Sequence, residues 1–196
     1  MGPGGALQLL VFGAIHGDEP ESAELCRRYL ARLREAPPVA DVLVVPVTNP
    51  DGLARASKDN RRDVDLNRNF AARSWVATHP PGYFPGTAPL SEPESLAIAR
   101  LVDSLAPRVI VAVHQPFRCV NWDGPAAELA ARMSQACGYP AVASVGYPTP
   151  GSFGACYGVD RGLPVITLEL PRLVEEADYV ACMQALDYAT IWRAKP

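Results

Sequence analysis

The sequence lacks the features that mark a membrane-spanning or secreted protein. Among its 196 residues, no apolar run approaches the roughly 18 residues needed to cross a bilayer. The first long apolar run, at residues 7–15, has no basic residue before it, as a secretory signal would require. The sequence therefore predicts no membrane partner and no secretory signal, and we expect a cytoplasmic protein.

Paired cysteines are also missing. The five cysteines are odd in number, widely spread, and contain no C-x-x-C pair. This pattern favours reduced, mostly buried thiols over a disulfide framework or a thiolate zinc site. The residues concerned are Cys26, Cys119, Cys137, Cys156 and Cys182.

The chain carries no surplus of basic charge. It has 18 Lys and Arg against 21 Asp and Glu, a formal net charge of −3, so we expect no nucleic-acid partner. Its hydrophobic share of 48% is ordinary for a globular protein. We therefore expect its 20 prolines to lie at the turns and element ends of a folded domain and not in a disordered tail. The length predicts one domain over residues 1–196.

Short apolar runs alternate with amphipathic segments along the chain. Continuous runs rich in Val, Ile and Leu are typical of strands buried on both faces, and strands that alternate with helices favour an α/β fold. We expect a single-domain α/β protein with a mixed, mostly parallel central sheet covered by helices. The predicted strands are Leu7–Ile15, Val42–Thr48, Val109–Val113 and Val165–Leu170, and the predicted helices are 20–34, 91–105, 125–137 and 175–194.

Local signals add detail between these elements. Ser-Glu-Pro-Glu at 91–94 predicts a capping box with proline in the first helical turn, and Asn-Pro-Asp-Gly at 49–52 predicts a turn. Residues 49–90 and 138–163 are predicted to be irregular. Long irregular stretches inside a compact domain are usually either functional or wrongly assigned.

The predicted strand ends carry the chemistry. His16 and Glu19 follow the first strand, His114 follows the third, and Glu169 ends the fourth. The carboxyl ends of parallel strands meet at one edge of a sheet, where ligands bind. Two histidines and one carboxylate, with a fourth position left to water, form the ligand set of a catalytic zinc site. We therefore expect one Zn²⁺ per chain, held by His16, Glu19 and His114.

Such a site also needs a base, and Glu169 can serve, because a carboxylate beside an activated water can take its proton and pass it to a leaving amine. An isolated H-x-x-E pair has a simpler alternative. In that alternative, His16 caps a turn and Glu19 is an acid at a helix start, stabilised by the helix dipole.

Further motifs favour the catalytic interpretation. Asp-Leu-Asn-Arg-Asn-Phe at 65–70 and Asn-Pro-Asp-Gly at 49–52 lie between the H-x-x-E pair and the later His and Glu. In this order the elements resemble the zinc carboxypeptidase-type metallopeptidases, and within them most closely the murein peptide amidases. The motifs that carry this closer resemblance are His-Gly-Asp-Glu-Pro at 16–20, Ser-Glu-Pro-Glu at 91–94, His-Gln-Pro at 114–116, Tyr-Pro-Thr-Pro-Gly-Ser at 147–152 and Thr-Leu-Glu-Leu-Pro at 167–171.

The resemblance implies roles for the matched residues. It implies the same three metal ligands, Glu169 as general base, and Asp65 as the hydrogen-bond acceptor that orients His16. Asn67 and Arg68 would bind the carboxylate of the residue on the leaving side, in keeping with the fit between a guanidinium fork and a carboxylate. The implied reaction is hydrolysis of the γ-D-glutamyl–meso-diaminopimelate bond of murein peptides.

One position departs from the family pattern. The family has an arginine for the oxyanion between Asn-Pro-Asp-Gly and Asp-Leu-Asn-Arg, where this chain has Lys58. Three outcomes are open: Lys58 stabilises the negative charge as a point charge, Arg61 or Arg62 reaches the substrate instead, or the activity is reduced. Residues 55–73 hold six Lys or Arg against three Asp, which favours a small anionic peptide substrate.

Several questions stay open from the sequence. Tyr147 and Tyr157 are both candidates for the mobile-loop tyrosine of the family, and both can instead pack in the core. His79 has no partner at metal-ligand spacing, which favours a role in a loop or at the rim of the substrate site. The alternative functions are a zinc deacylase of N-acyl amino acids, a catalytically silent murein-peptide-binding protein, and a metal-free α/β domain. The sequence does not give the oligomeric state.

Overall fold

Six strands form one sheet in the computed structural model, which describes residues 7–193. The strands lie in the order β2-β1-β3-β6-β4-β5 across the sheet. Their bounds are β1 Leu9–Phe12, β2 Val42–Val45, β3 Val109–His114, β4 Phe117–Asp123, β5 Ala141–Val142 and β6 Val165–Pro171.

The sheet is mixed and mostly parallel, as predicted. Strands β2, β1, β3 and β6 run parallel to one another, whereas β4 runs antiparallel to β6 and parallel to β5. Every residue of β1 and β3 is buried, because helices and loops cover both faces of the sheet. The continuous apolar runs in the sequence reflect this two-sided burial.

Two apolar clusters fill the space on either side of the sheet. Leu9 and Val11 point to one face and pack with the helices at residues 20–35, 127–137 and 176–191, while Leu10 and Phe12 point to the other face and pack with the helix at residues 93–105. The predicted helices are confirmed. They are α1 Pro20–Glu35, α3 Pro93–Leu105, α4 Ala127–Cys137 and α5 Glu176–Ile191, and a shorter helix, α2, spans Pro50–Arg55.

The structure contains elements that the sequence patterns do not predict, both inside and outside the regions predicted to be irregular. Strand β4 was missed because its sequence, Phe-Arg-Cys-Val-Asn-Trp-Asp, mixes polar and apolar residues. The side chains of Asn121 and Asp123 line a cavity instead of a packed core. Strand β5 has only two residues, too few for a pattern, and Gly154–Asp160 forms a π-helical segment.

Two local predictions are wrong in detail. Asn49 does not begin a simple turn but caps α2, with its side-chain oxygen accepting a hydrogen bond from the Gly52 amide at 2.8 Å. The capping box at 91–94 does not form, because Glu92 is the N-cap of α3 but makes no side-chain cap bond. Its carboxylate instead accepts a hydrogen bond from the Asn60 side chain at 2.8 Å, which fastens α3 to the preceding loop.

All five cysteines are free and buried, as predicted. Within residues 7–193, no helix has the length and apolar character needed to span a bilayer.

Candidate active site

Three of the predicted residues meet at the carboxyl edge of the parallel strands. His16 follows β1 after a short turn, and His114 is the last residue of β3. Glu169 lies on β6 directly opposite His114 in the strand register. All three side chains line one cavity of about 240 Å³.

The turn after β1 is held by an unusually close backbone contact. A Cβ atom on Gly17 would lie 1.9 Å from the backbone carbon of Gly52, so only glycine fits beside α2. The Gly17 amide also donates a hydrogen bond to the Lys58 carbonyl oxygen at 3.3 Å. These contacts fix the backbone next to His16.

The His16, Glu19 and His114 side chains form a compact ligand set. Glu19 lies 2.8 Å from His16 Nδ1 through one oxygen and 3.1 Å from His114 Nδ1 through the other. One donor atom from each residue lies within 4.8 Å of the others. Glu19 is the N-cap of α1, but its side chain makes no cap bond and faces the histidines instead. Two imidazole nitrogens and one carboxylate fit a single catalytic metal ion.

The ligand set stabilises positive charge. Burial lowers the pKa of His16, but the carboxylates of Glu19 and Asp65 outweigh that effect and raise the pKa to about 10. Burial raises the pKa of Glu19, yet His16 and His114 outweigh it and lower the pKa to about 2. In the metal-free protein, the neighbouring carboxylates therefore favour the protonated, positively charged form of His16.

Asp65 lies behind His16, as the resemblance implies. His16 Nε2 is 3.1 Å from Asp65 Oδ1, and the Asp65 side chain is fully buried. Burial raises the pKa of Asp65, but the hydrogen bond to His16 outweighs it, and the pKa stays well below its ordinary value. The ionised Asp65 orients the ring so that Nδ1 faces Glu19 and His114.

Lys58 reaches the cavity and also touches Asp65. Its ammonium lies 2.5 Å from Asp65 Oδ2 and 2.7 Å from the Gly82 carbonyl oxygen, and it sits 3.9 Å from the centre of the Tyr83 ring. Arg61 and Arg62 are exposed and do not line the cavity. The structure therefore brings Lys58 to the site and leaves the two arginines outside it.

Glu169 is a buried carboxylate beside the ligand set. It is 5% exposed, and one of its oxygens accepts a hydrogen bond from the Phe117 amide at 3.4 Å. Burial raises its pKa above the ordinary range, against the opposing effect of His114. A carboxylate with a raised pKa can both accept and return a proton, as general acid–base catalysis requires.

Arg68 is a buried cation without an acidic partner. Only 5% of the residue is exposed, and no carboxylate within residues 7–193 lies within 4 Å of its guanidinium. Its Nη1 donates to the Asn67 carbonyl oxygen at 2.7 Å. The side-chain oxygen of Asn67 accepts a hydrogen bond from the Phe153 amide at 3.0 Å, and the NH₂ group of Asn67 stays available as a donor. Both side chains line the cavity and can bind an anion.

The structure separates the two candidate tyrosines. Tyr157 is buried and packs against Phe153, with ring centres 4.6 Å apart. Tyr147 is partly exposed, lines the cavity and interacts with Arg68. Its place in the Tyr-Pro-Thr-Pro-Gly-Ser motif was the available signal. His79 is exposed and lies at a neighbouring apolar recess, apart from the metal ligands.

A solved structure shares this fold. Carboxypeptidase A from Helicoverpa armigera has a similar fold, with a TM-score of 0.75 and 16% identity over 92% of this chain and 59% of that chain. The likeness shows a carboxypeptidase-like fold, and this fold carries a His-Glu-His set that could hold a metal ion.

More similar relatives identify the family within this class. Murein peptide amidase A from Escherichia coli K12 is 32% identical over 95% of this chain and 80% of that protein. The crystal structure of murein-tripeptide amidase MpaA from Escherichia coli O157 matches with a TM-score of 0.77 and 31% identity, over 99% of this chain and 86% of that chain. The chain belongs to the murein peptide amidase family. Residues 6–81 also match the succinylglutamate desuccinylase/aspartoacylase catalytic domain.

Proposed function

We propose that this protein is a zinc-dependent amidase that cleaves the γ-D-glutamyl–meso-diaminopimelate bond of murein peptides. One observation carries the reaction type. A single cavity joins the metal-ligand set, the buried Glu169 and the unpaired guanidinium of Arg68. The choice of substrate is supported by the relatives named murein peptide amidase, one of which aligns with 95% of this chain.

The donor set fits zinc. His16, Glu19 and His114 would hold one Zn²⁺, which when bound supplies Lewis acidity toward water and the scissile carbonyl. The buried Asp65 keeps the His16 ring in the orientation that this ligation needs.

Glu169 moves the proton. Its carboxylate takes a proton from the attacking water and hands it to the leaving nitrogen as the amide bond breaks. The raised pKa of Glu169, which burial causes, brings proton uptake and release closer to neutral pH.

Lys58 stabilises the developing oxyanion. An ammonium has three donors, and the Asp65 carboxylate and the Gly82 carbonyl occupy two of them. The third donor is available to the scissile carbonyl oxygen. Because Arg61 and Arg62 lie outside the cavity, this role falls to Lys58.

Arg68 and Asn67 position the leaving residue. The guanidinium, which lacks a carboxylate partner in the described chain, binds the carboxylate next to the scissile nitrogen. The Asn67 NH₂ group adds a second donor, and Tyr147, which also lines the cavity, interacts with Arg68.

Cellular location is part of the same proposal. Five free, buried cysteines are typical of a reducing compartment, which supports action in the cytoplasm on peptides recovered from cell-wall turnover.

The test is a mass-spectrometric assay of L-Ala-γ-D-Glu-meso-diaminopimelate, with zinc and with a chelator. We expect release of meso-diaminopimelate with zinc and none after metal removal. If the protein binds zinc and the tripeptide but never cleaves it, the protein is a binding module and the proposed activity is wrong.

A deacylase is the second candidate, because residues 6–81 match the succinylglutamate desuccinylase/aspartoacylase catalytic domain. The same ligands, Glu169 and Arg68 would cleave an N-acyl amino acid. Turnover of N-succinylglutamate or N-acetylaspartate, with none of the tripeptide, would favour this function.

A further inference from the structure

A second cavity adjoins the active-site cavity. It has a volume of about 350 Å³ and lies between residues 76–85 and residues 147–150. Its walls are mostly apolar or aromatic, and we call it the apolar recess. Concave, mostly apolar cavities of ~300 to 1,000 Å³ with a few polar groups are typical of ligand sites. The tripeptide reaction proposed above makes no use of this recess.

Prolines shape both walls of the recess. Pro80 and Pro85 lie on one side, and Pro148 and Pro150 lie on the other. Because the proline ring fixes the backbone φ angle, these walls have little conformational freedom to lose when a ligand binds. The recess is therefore suited to be a preformed binding site.

The apolar surface of the recess faces water. Val76 is 45% exposed and Tyr147 is 39% exposed. His79 lies exposed at the same recess with its ring centre 5.2 Å from that of Phe84, so its ring adds to this surface. Removal of such surface from water favours an apolar ligand over a charged one.

Three side chains join the recess to the active-site cavity. Arg68, Tyr83 and Tyr147 line both cavities and form the boundary between them. The Arg68 guanidinium lies 5.1 Å from the centre of the Tyr83 ring and interacts with Tyr147. Because a guanidinium carries five N–H donors in one plane, it can donate to groups on either side of this boundary.

We propose that the apolar recess binds an apolar residue joined by an amide bond to the α-carboxylate of the leaving residue, so that the protein also cleaves peptides extended past that residue. This inference rests on the proposed amidase function. In that function Arg68 binds the carboxylate next to the scissile nitrogen, so a residue joined to this carboxylate begins at the boundary with the recess.

The chemistry of the extended peptide is the same hydrolysis. Water adds to the γ-D-glutamyl carbonyl carbon, the amide bond breaks, and the nitrogen leaves with a proton on a dipeptide instead of a free amino acid. Arg68 donates to the carbonyl oxygen that replaces the carboxylate. The new terminal carboxylate stays in water beside the exposed His79 and Pro80.

The test compares three substrates of the zinc-loaded enzyme. They are L-Ala-γ-D-Glu-meso-diaminopimelate and the same peptide extended at the α-carboxylate by leucine or by aspartate. Each extension is prepared in the D and the L form, and the better substrate of each pair is compared. We expect kcat/KM for the leucine peptide to exceed that for the aspartate peptide by about 10- to 100-fold, the range for burial of a leucine side chain.

The leucine peptide should also be cleaved with a kcat/KM within about tenfold of the tripeptide value, because burial of leucine offsets the loss of the ion pair with Arg68. An enzyme that cleaves the tripeptide but not the leucine peptide would overturn the proposal and leave the amidase function intact. Equal kcat/KM for the leucine and aspartate peptides would overturn it as well.

Val76→Lys tests whether the recess causes this preference. An ammonium in the recess disfavours an apolar side chain and attracts a carboxylate, so the ratio of leucine to aspartate kcat/KM should fall by about tenfold or more. The matched control is Val180→Lys on α5, where Val180 is also 45% exposed but lines neither cavity, and it should keep the wild-type ratio. A wild-type ratio in Val76→Lys would place the extension outside the recess and refute the assignment.

A binding measurement separates this proposal from the amidase function. If the wild type cleaves none of the peptides, the amidase function fails, and calorimetry with diaminopimelyl-leucine and diaminopimelyl-aspartate tests the recess independently. Tighter binding of the leucine dipeptide, with the difference reduced in Val76→Lys, would support the assignment. Equal binding of the two dipeptides would contradict it.

Discussion

At the residue scale, Glu169 is the side chain on which turnover depends. The change Glu169→Gln keeps the shape and the hydrogen-bond acceptor but cannot accept a proton. We expect kcat to fall by about 10²- to 10⁴-fold, the usual contribution of a positioned acid–base group. Metal content should be unchanged, because Glu169 is outside the His-Glu-His set.

The measurements are steady-state kinetics on the tripeptide and elemental analysis of the purified variant. Glu35→Gln, at the exposed end of α1, is the matched control and should keep full activity. Retention of more than a tenth of wild-type kcat in Glu169→Gln would remove the residue from the base role.

Lys58 gives a second prediction at this scale. Loss of one oxyanion donor costs about 10²- to 10³-fold in kcat, so we expect that loss in Lys58→Ala, while Lys58→Arg retains kcat to within about tenfold. Arg61→Ala, a change of an exposed arginine outside the cavity, should alter kcat less than about twofold. Metal content is measured in parallel, since Lys58 also contacts Asp65. Unchanged kcat in Lys58→Ala would assign the oxyanion to another group.

The sequence predicts some residues of the site better than others. His16, His114 and Glu169 could be located because each ends a conspicuous apolar run, and the register of parallel strands brings such ends together. Asp123 could not, because it belongs to a strand whose polar residues hide the strand pattern. The contact of Lys58 with Asp65 could not be predicted either, because it depends on the conformation of a loop, and loops have no periodic sequence pattern.

At the element scale, Asn49 connects three segments of the site. Its side-chain oxygen caps α2, while its Nδ2 group lies 3.3 Å from the Ile15 carbonyl oxygen and 3.4 Å from the Lys58 carbonyl oxygen. We expect Asn49→Ala to lower the free energy of unfolding by about 2 to 4 kcal/mol, from the lost cap and the buried carbonyl groups left without donors.

Urea unfolding of the metal-loaded protein measures this loss. Asn49→Ser restores a cap acceptor without the amide donors and should recover about 1 kcal/mol of it. Equal stability of the Ser and Ala variants would show that capping of α2 is not what Asn49 contributes.

The sequence predicts strands that are buried on both faces and helices whose buried residues recur with the helical period. Strands β1 and β3 and the four long helices have continuous or 3.6-residue apolar patterns that follow from their packing. The Asn-Pro-Asp-Gly pattern is typical both of turns and of short helices that begin with a capping Asn followed by a proline. In this protein the contacts of Asn49 favour the helix. Such tertiary contacts are not written in a local pattern.

At the scale of the whole molecule, the ligand set links stability to pH and metal. In the metal-free protein, the pKa of His16 is about 10 against an ordinary 6.5. Its contribution to the free energy of unfolding is therefore fully present below about pH 6.5 and is lost as the pH rises toward 10. The pKa of Glu19 is about 2 against an ordinary 4.5. Its contribution to the free energy of unfolding is therefore present above about pH 4.5 and is lost as the pH falls toward 2. The metal-free protein should therefore be most stable between about pH 4.5 and 6.5.

Bound zinc offsets the loss of stability that the metal-free protein undergoes at alkaline pH. The ion must displace the proton that His16 holds, so the stabilisation that zinc gives should grow as pH rises from about 6 to 9. The measurement is the difference in Tm between zinc-loaded and chelator-treated protein at each pH. Asp65→Asn, which removes one cause of the raised His16 pKa, should flatten the alkaline fall in Tm of the metal-free protein. A Tm that a chelator leaves unchanged at every pH would instead identify a metal-free α/β domain, because a metal that binds only the folded state must raise its stability.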